Sequence, residues 1–185
     1  VWIFPSQRRG GRMLYGFDVT DPSSPTLKWR VGCPNMSNDT GCTTGFENMG
    51  QTWSMPMVAF LKGHSETTPV VIVGGGYDTC EDANAASPAC TGRKGTGVYV
   101  IDPNSGARLA HLPTTGSVPA DIALADANND GSVDFAYAAT TTGEIYRIDF
   151  SSATYEPRAP GSWGIRQVAH TSGAGRKFLY PPALL

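Results

Sequence analysis

Apolar positions along this chain alternate with polar ones, or run unbroken, over stretches of strand length, and clusters of Gly, Pro, Asn, Asp and Ser separate them. No sustained 3.6-residue period appears, so the pattern predicts an all-β protein. Strands are expected over Val1–Phe4, Met13–Val19, Leu27–Val31, Thr52–Phe60, Pro69–Val73, Gly97–Ile101, Arg108–Leu112, Ala120–Ala125, Val133–Ala138, Gly143–Ile148, Ile165–Ala169 and Lys177–Tyr180.

A degenerate repeat organises these strands. "LYGFDVTDPSSPTLKW", "GVYVIDPNSGARLAHL" and "EIYRIDFSSATYEP...WGIRQVAH" each run from a strand ending in Asp through a turn into a further strand. Asp18, Asp102 and Asp149 are expected to accept backbone hydrogen bonds in those turns, because a short carboxylate reaches the amides just beyond it. Counted in fours, the strands form one sheet over 52–112 and another over 118–170. A partial sheet over 1–31, a Cys-bounded connection over 32–51 and the start of a further sheet over 176–185 complete the chain. Repeated four-stranded sheets are the pattern of a β-propeller, here about two complete blades with partial blades at both ends. An open arc of this kind leaves sheet edges that the remainder of its own propeller is expected to cover.

Composition fits one ordinary domain: 185 residues, 40% hydrophobic and 16% charged, with a formal net charge of −2. There is no Lys/Arg run of the kind that tracks nucleic acid, and Arg8-Arg9 beside Gly10-Gly11 reads as a hairpin tip. No apolar run is long enough to span a membrane. The chain opens inside a strand, "VWIF", without initiator Met or leader, and reads as a piece of a longer protein whose targeting signal lies elsewhere.

The four cysteines bracket two short polar loops, Cys33 with Cys42 and Cys80 with Cys90. Two local disulfides are the simplest pairing of the three that four cysteines allow. A zinc site would need four converging ligands, and no histidine lies near either pair. Disulfides in turn imply an oxidising compartment.

The densest chemistry lies at "ADANNDGSVD". Asp126, Asn128, Asp130, Gly131 and Asp134 follow D-x-N-x-D-G-x-x-D, the first nine positions of an EF-hand-type calcium loop. Side chains of Asp126, Asn128, Asp130 and Asp134 and the carbonyl of Ser132 can converge on one ion, with Gly131 allowing the sharp bend. The bidentate Glu of a full loop is absent, Tyr137 standing at that position. Apolar strands on both sides put the loop at a hairpin bend. An all-oxygen set with several carboxylates and a carbonyl suits calcium better than magnesium, which keeps its own waters.

Elsewhere no catalytic constellation is found. "VVIVGGGYD" lacks the helix and Lys of a phosphate cradle and reads as a tight strand exit. His64, His111 and His170 fall on different elements without a carboxylate and nucleophile beside them. Trp2, Trp29, Trp53 and Trp163 lie on or next to strands and are expected to pack between blades.

"GGRMLYGFDVTDPSSPTLKW", "GQTWSMPMVA", "VVIVGGGYD", "GVYVIDPNSG" and "ADANNDGSVDFAYAATTTGEIYRID", in this order, resemble the C-terminal β-propeller of the PilC/PilY family of type IV pilus adhesins and assembly factors. The resemblance implies a modified seven-bladed propeller at the pilus tip or cell surface, exported through the periplasm. It also implies a calcium-linked, non-enzymatic role in pilus extension and retraction, twitching motility and adhesion. Minor pilins and possible host surfaces are the partners it implies. Asp126, Asn128, Asp130, Ser132 through its carbonyl and Asp134 are the calcium ligands carried over. Tyr146 stands where the resemblance has Trp, which bears on blade packing. Two other classes share features: quinoprotein dehydrogenase propellers resemble "GVYVIDPNSG" but use an adjacent-cysteine disulfide absent here, and integrin-like or lectin-like calcium propellers carry similar acidic hairpins.

Overall fold

The structure is a computed structural model and describes residues 1–82, 90–171 and 176–185. Strands β1 (Trp2–Ile3), β2 (Arg12–Asp18) and β3 (Thr26–Cys33) form a three-stranded sheet. Strands β4 (Met57–Leu61), β5 (Ser65–Gly74), β6 (Thr96–Ile101) and β7 (Arg108–Ser117) form a second sheet in chain order. A third holds β8 (Ala123–Ala125), β9 (Phe135–Ala139), β10 (Glu144–Asp149) and β11 (Gly164–His170), again in chain order. Every pairing is antiparallel, so each sheet is a run of consecutive hairpins.

The middle sheet explains why "VVIV" does not alternate. Successive side chains of a strand point to opposite faces. Val70 and Ile72 of β5, with Val98 and Val100 of β6, enter one seam against Ile122, Ala136, Ala138, Ile148, Phe150 and Trp163 of the third sheet and its flanks. Val71 and Val73, with Tyr99 and Ile101, enter the other seam against Leu14, Trp29, Val31, Phe46 and Met49. A strand covered on both faces has no polar side to show, and its sequence reads as a continuous apolar run.

Several expected boundaries move, each for a local reason. The strand expected from Thr52 begins only at Met57. Gln51 makes an isolated bridge to Tyr77, the Thr52 hydroxyl donates to Met13 O at 3.1 Å and accepts from Gln7 N at 2.8 Å, and Pro56 offers no ladder donor. The strand expected over 120–125 shortens to β8, and Ala120 and Ile122 before it are buried without joining the ladder. Lys177–Tyr180, expected as a strand, forms none. Phe178 N donates to Thr140 O at 3.1 Å, and Pro181-Pro182, directly after this stretch, have no N–H to extend a ladder.

Both expected disulfides are formed, Cys33–Cys42 and Cys80–Cys90. The insert between β5 and β6 was expected to be a polar loop; residues 83–89 of it lie outside the described residues, and the rest is not simply polar and exposed. In the 3₁₀ turn Thr79–Asp82, Glu81 is buried at 2% exposure. The Thr141 hydroxyl donates to its Oε1 at 3.0 Å, Arg93 Nε lies 3.0 Å from Oε1, and Lys177 Nζ lies 3.4 Å from Oε2 and donates to the Glu81 carbonyl. One carboxylate thus joins the insert, the third sheet and the C-terminal segment. Arg12, 4% exposed, plays a similar part in the 32–51 connection. Its guanidinium donates to the carbonyls of Met49, Asn35, Asn38 and Glu47 and to Asp39 Oδ1, all at 2.7–3.1 Å.

Candidate metal centre

The acidic loop connects β8 to β9. Asp134 N donates to Ala125 O at 2.9 Å and closes its base, and the Asp134 carbonyl accepts Phe150 N and Ser151 N at 2.9 and 3.1 Å. Asn129 (φ 57°) and Gly131 (φ 86°) turn the chain through the left-handed region. A Cβ at position 131 would touch nothing within 4 Å, so the backbone angle, not space, favours glycine there. Asp126 folds back over the loop: Oδ1 accepts Asp130 N at 3.1 Å and Oδ2 accepts Gly131 N at 2.8 Å. Asn128 Oδ1 also accepts Asp130 N, at 3.2 Å. Asp134 Oδ2 accepts Ala127 N at 2.9 Å, and the Ser132 carbonyl takes no hydrogen bond among the described residues.

The five expected ligands therefore lie in one loop whose backbone bend is built, but their carboxylates do not meet. Asp126, Asp130 and Asp134 are too far apart for one oxygen of each to lie within 4.8 Å of the others. Asp130 also faces a cation from the neighbouring sheet. Lys62 Nζ, in the β4–β5 turn, sits 2.6 Å from Asp130 Oδ2, the same oxygen that accepts Asn128 Nδ2 at 2.8 Å, while Oδ1 accepts Ser132 N at 3.0 Å. These bonds, the lysine's first, hold the Asp130 carboxyl below the usual carboxylate range. The Lys62 ammonium is raised in turn by its bond to Asp130. The turn is anchored to the loop at backbone level too: Lys62 N donates to Ser132 Oγ at 2.9 Å, and Ser132 Oγ and Val133 N donate to Phe60 O at 3.1 and 2.9 Å.

The donor set fits a hard divalent cation. It offers only oxygens, and Asp134, 3% exposed, has no ion pair among the described residues. The sequence pattern missed Lys62. No local signal could have found it, since it lies 68 positions before Asp130 and is brought there by packing of one sheet on the next.

The other expected features resolve separately. His111 is a packing residue: it stacks on Tyr99 at 4.4 Å between ring centroids, its Nε2 lies 2.9 Å from Thr96 O, and burial lowers its pKa. The glycine run brings backbones together and offers no anion cradle. Gly75 N and Gly76 N donate to Gly97 O and Val118 O at 2.8 and 3.0 Å, and a Cβ at Gly76 (φ 110°) would lie 2.3 Å from Gln51 O. Asp18 and Asp102 cap their turns as expected. Asp18 Oδ1 accepts Thr20 N at 2.9 Å, and contacts with Thr20 lower its pKa to about 2; Asp102 Oδ1 accepts Asn104 N at 3.0 Å and Ser105 N at 2.8 Å. Asp149 departs from the pattern, because cations flank it: Arg147 of its own strand β10 places Nε 2.6 Å away and Arg166 of the neighbouring β11 places Nε 3.4 Å away. Trp29 and Trp163 pack in the seams, each 7% exposed, and Trp53 is half-buried. Trp2, by contrast, is 38% exposed on the short edge strand β1, with Lys28 Nζ 3.9 Å above its ring. Tyr146 is buried in β10 and sets its hydroxyl 3.2 Å from Thr115 Oγ1 of β7, a contact between sheets.

Comparison with known proteins agrees with this architecture. A family model described as the PilY1 beta-propeller domain matches residues 1–180. The type IV pilus biogenesis factor PilY1 of Pseudomonas aeruginosa strain PAO1 is 31% identical over 152 residues, covering 80% of this chain and 11% of that protein. The protein of the same name from strain UCBPP-PA14 is 34% identical over 145 residues, 78% of this chain and 11% of its own. A PilY1 homolog from Xylella fastidiosa is 27% identical over 177 residues, covering 90% of this chain and 10% of that protein. The crystal structure of the Pseudomonas aeruginosa PilY1 C-terminal domain superposes with a TM-score of 0.68 at 26% identity, over all of this chain and 37% of that one. The chain thus spans about a tenth of the length of these curated relatives. On the family match over nearly its whole length, the chain belongs to the PilY1 β-propeller domain family.

Proposed function

We propose that this chain is a calcium-binding propeller segment of a type IV pilus-associated surface protein, acting in pilus biogenesis and in control of extension and retraction. The observation that carries the calcium reading is Asp134, a buried carboxylate without a cationic partner among the described residues, at the end of a loop that offers Asp126, Asn128, Asp130 and the Ser132 carbonyl beside it. Calcium there supplies charge neutralisation and a fixed bend; it performs no bond-making step. The chain's own residues do the positioning. Asp126 holds the Asp130 and Gly131 amides so that the loop is bent before the ion arrives, and Ser132 ties it to the β4–β5 turn. The reading assigns no catalysis to this segment. Its partners are the rest of its own propeller, pilus components such as minor pilins and possible host surfaces, and its place is the cell surface. Two disulfides support an extracytoplasmic site, and no helix among the described residues is long and apolar enough to cross a membrane.

Isothermal titration with calcium chloride tests the ion. The wild type is expected to bind one calcium, and a 100-fold excess over Kd should add about 2.7 kcal/mol of stability. Asp130→Ala removes a ligand and a charge and is expected to weaken binding by about 10- to 100-fold while the protein still folds, since Asp130 is exposed. Equal binding by both proteins would take the loop out of the site. A twitching assay with the same substitution in the parent protein tests the pilus role: unchanged motility in a variant that binds no calcium would leave the ion a purely structural one.

A further inference from the structure

We propose that a cavity at the end of the sheets opposite the acidic loop binds an acidic sugar, a pyranose carrying a carboxylate. Arg8 is its carboxylate anchor, Trp53 and Tyr77 are its ring platform and Asp121 is its hydroxyl acceptor. The inference is independent of the calcium reading.

The site is assembled from all three sheets. The chain passes from β1 to β2 through Arg8, enters β4 after Trp53, leaves β5 before Tyr77 and enters β8 after Asp121, so these residues stand at one end of the sheets and the β8–β9 loop at the other. Hydrogen bonds fix them to one another. Arg8 N donates to Thr52 O at 2.9 Å, Gln51 and Tyr77 exchange backbone bonds at 2.8 Å, and Met55 N donates to Asp121 Oδ1 at 2.5 Å. The cavity that these residues line with Arg9 and Tyr180 measures about 430 Å³, within the roughly 300–1,000 Å³ that small-molecule sites occupy.

The lining carries three kinds of unused binding capacity. Trp53 and Tyr77, both half-buried with ring centroids 6.0 Å apart, form an aromatic wall. Arg8 sits in the left-handed region at φ 51°, a conformation uncommon outside glycine and concentrated at functional sites. Its guanidinium lies 5.6 Å from the Trp53 ring centroid and makes no ion pair among the described residues. Arg9 is already matched: Asp82 lies 2.6 Å from it, and the same carboxylate oxygen accepts the Tyr77 hydroxyl at 3.1 Å. Asp121 has one oxygen on Met55 N, and the other takes no hydrogen bond among the described residues.

An acidic pyranose answers all three. Its C–H face packs on aromatic rings, its carboxylate pairs with a planar guanidinium, and its hydroxyls donate to a carboxylate oxygen. A proline-rich peptide would use the aromatic wall but bring no anion to Arg8 and no hydroxyl to Asp121. A neutral sugar would leave Arg8 unmatched. A nucleic-acid strand would meet one unmatched arginine and a like-charged carboxylate, too little to hold its phosphates.

The Trp53 indole N–H resonance of the 185-residue chain, assigned by its loss in Trp53→Phe, reports binding. Methyl glucuronide and methyl N-acetylneuraminide separate the two sources of acidic sugar, uronic and sialic acids. At least one is expected to shift the resonance with a Kd of about 1 mM, the scale for a ligand of this size. Methyl glucoside, which lacks the carboxylate, should bind about 10-fold more weakly, and Arg8→Gln should lower the acidic glycoside to that level, the scale of a charge-assisted hydrogen bond. Arg8 is exposed, so the variant is expected to fold. No shift with either acidic glycoside up to about 20 mM, or equal binding of glucoside and acidic glycoside, overturns the proposal. So does a polyproline peptide that shifts the resonance where the glycosides do not, which would make the cavity a peptide site. None of these results bears on calcium binding.

Discussion

Glu81→Gln is expected to lower the unfolding free energy by about 3 kcal/mol, the lower end of the cost of breaking a buried ion pair. The carboxylate is buried at 2% exposure, and its charge faces two cations, Arg93 and Lys177, whose side chains are 17% and 18% exposed. Removing the negative charge leaves both cations largely desolvated and opposed only by a neutral amide, and the small water contact they keep is why the upper end is not reached. The Thr141 hydroxyl can still donate to the amide oxygen, so the loss reports charge and not simply a missing hydrogen bond. Urea unfolding of wild type and variant measures it, and a difference under about 0.5 kcal/mol would show that the pair is solvated. Replacing all three charged groups together, Glu81→Leu with Arg93→Met and Lys177→Met, should restore most of the loss, because apolar groups of similar volume need no compensating partner.

Tyr99 is expected to give a pair of opposite effects. Its ring lies between Phe46, 5.3 Å away, and His111, 4.4 Å away, and is fully buried in the seam between the first and second sheets. Tyr99→Ala should cost about 4 kcal/mol, since a cavity opens where three rings stack and rigid sheets cannot close over it. Tyr99→Phe should instead be neutral or raise stability by up to about 1 kcal/mol, because the hydroxyl is buried without a hydrogen-bond partner among the described residues. The same burial raises the phenol pKa above its ordinary range, so the ring stays neutral at neutral pH. Thermal or urea unfolding decides both, and a clear loss in Tyr99→Phe would mean that the hydroxyl has a partner, such as a bound water.

These two residues also mark what the sequence could and could not reveal. Tyr99 lies within "GVYVI", where an apolar run, flanking glycines and a repeat identify a strand buried on both faces. Strands, sheets and local disulfides are legible because their causes are short in range: a period of two, a turn, a cysteine ten positions from its partner. The acidic loop is legible for the same reason, since all its oxygen donors lie within nine positions. Glu81 is not legible. It stands among turn residues and looks solvated, and its burial follows from Thr141 and Lys177, which only the packing of sheets brings near. Lys62 at Asp130 and Arg166 at Asp149 share that long-range origin or a cross-strand one. Charged side chains carry no periodic signal, so pattern alone does not tell a solvated charge from a buried one.

Because each sheet is a run of consecutive hairpins, tension applied to the two ends of the chain acts on them like an opened zipper, peeling strands from the edges one ladder at a time. The two disulfides set how far such a chain can lengthen. They close separations of 9 and 10 residues, withholding about 65 Å of fully extended backbone from the pull. Cys33–Cys42 closes the loop after β3, and Cys80–Cys90 lies in the insert between β5 and β6, so the withheld length sits at the connections and the peeled length in the sheets. Under load the molecule is a tether with two fixed stops, and its reach depends on the redox state of four cysteines.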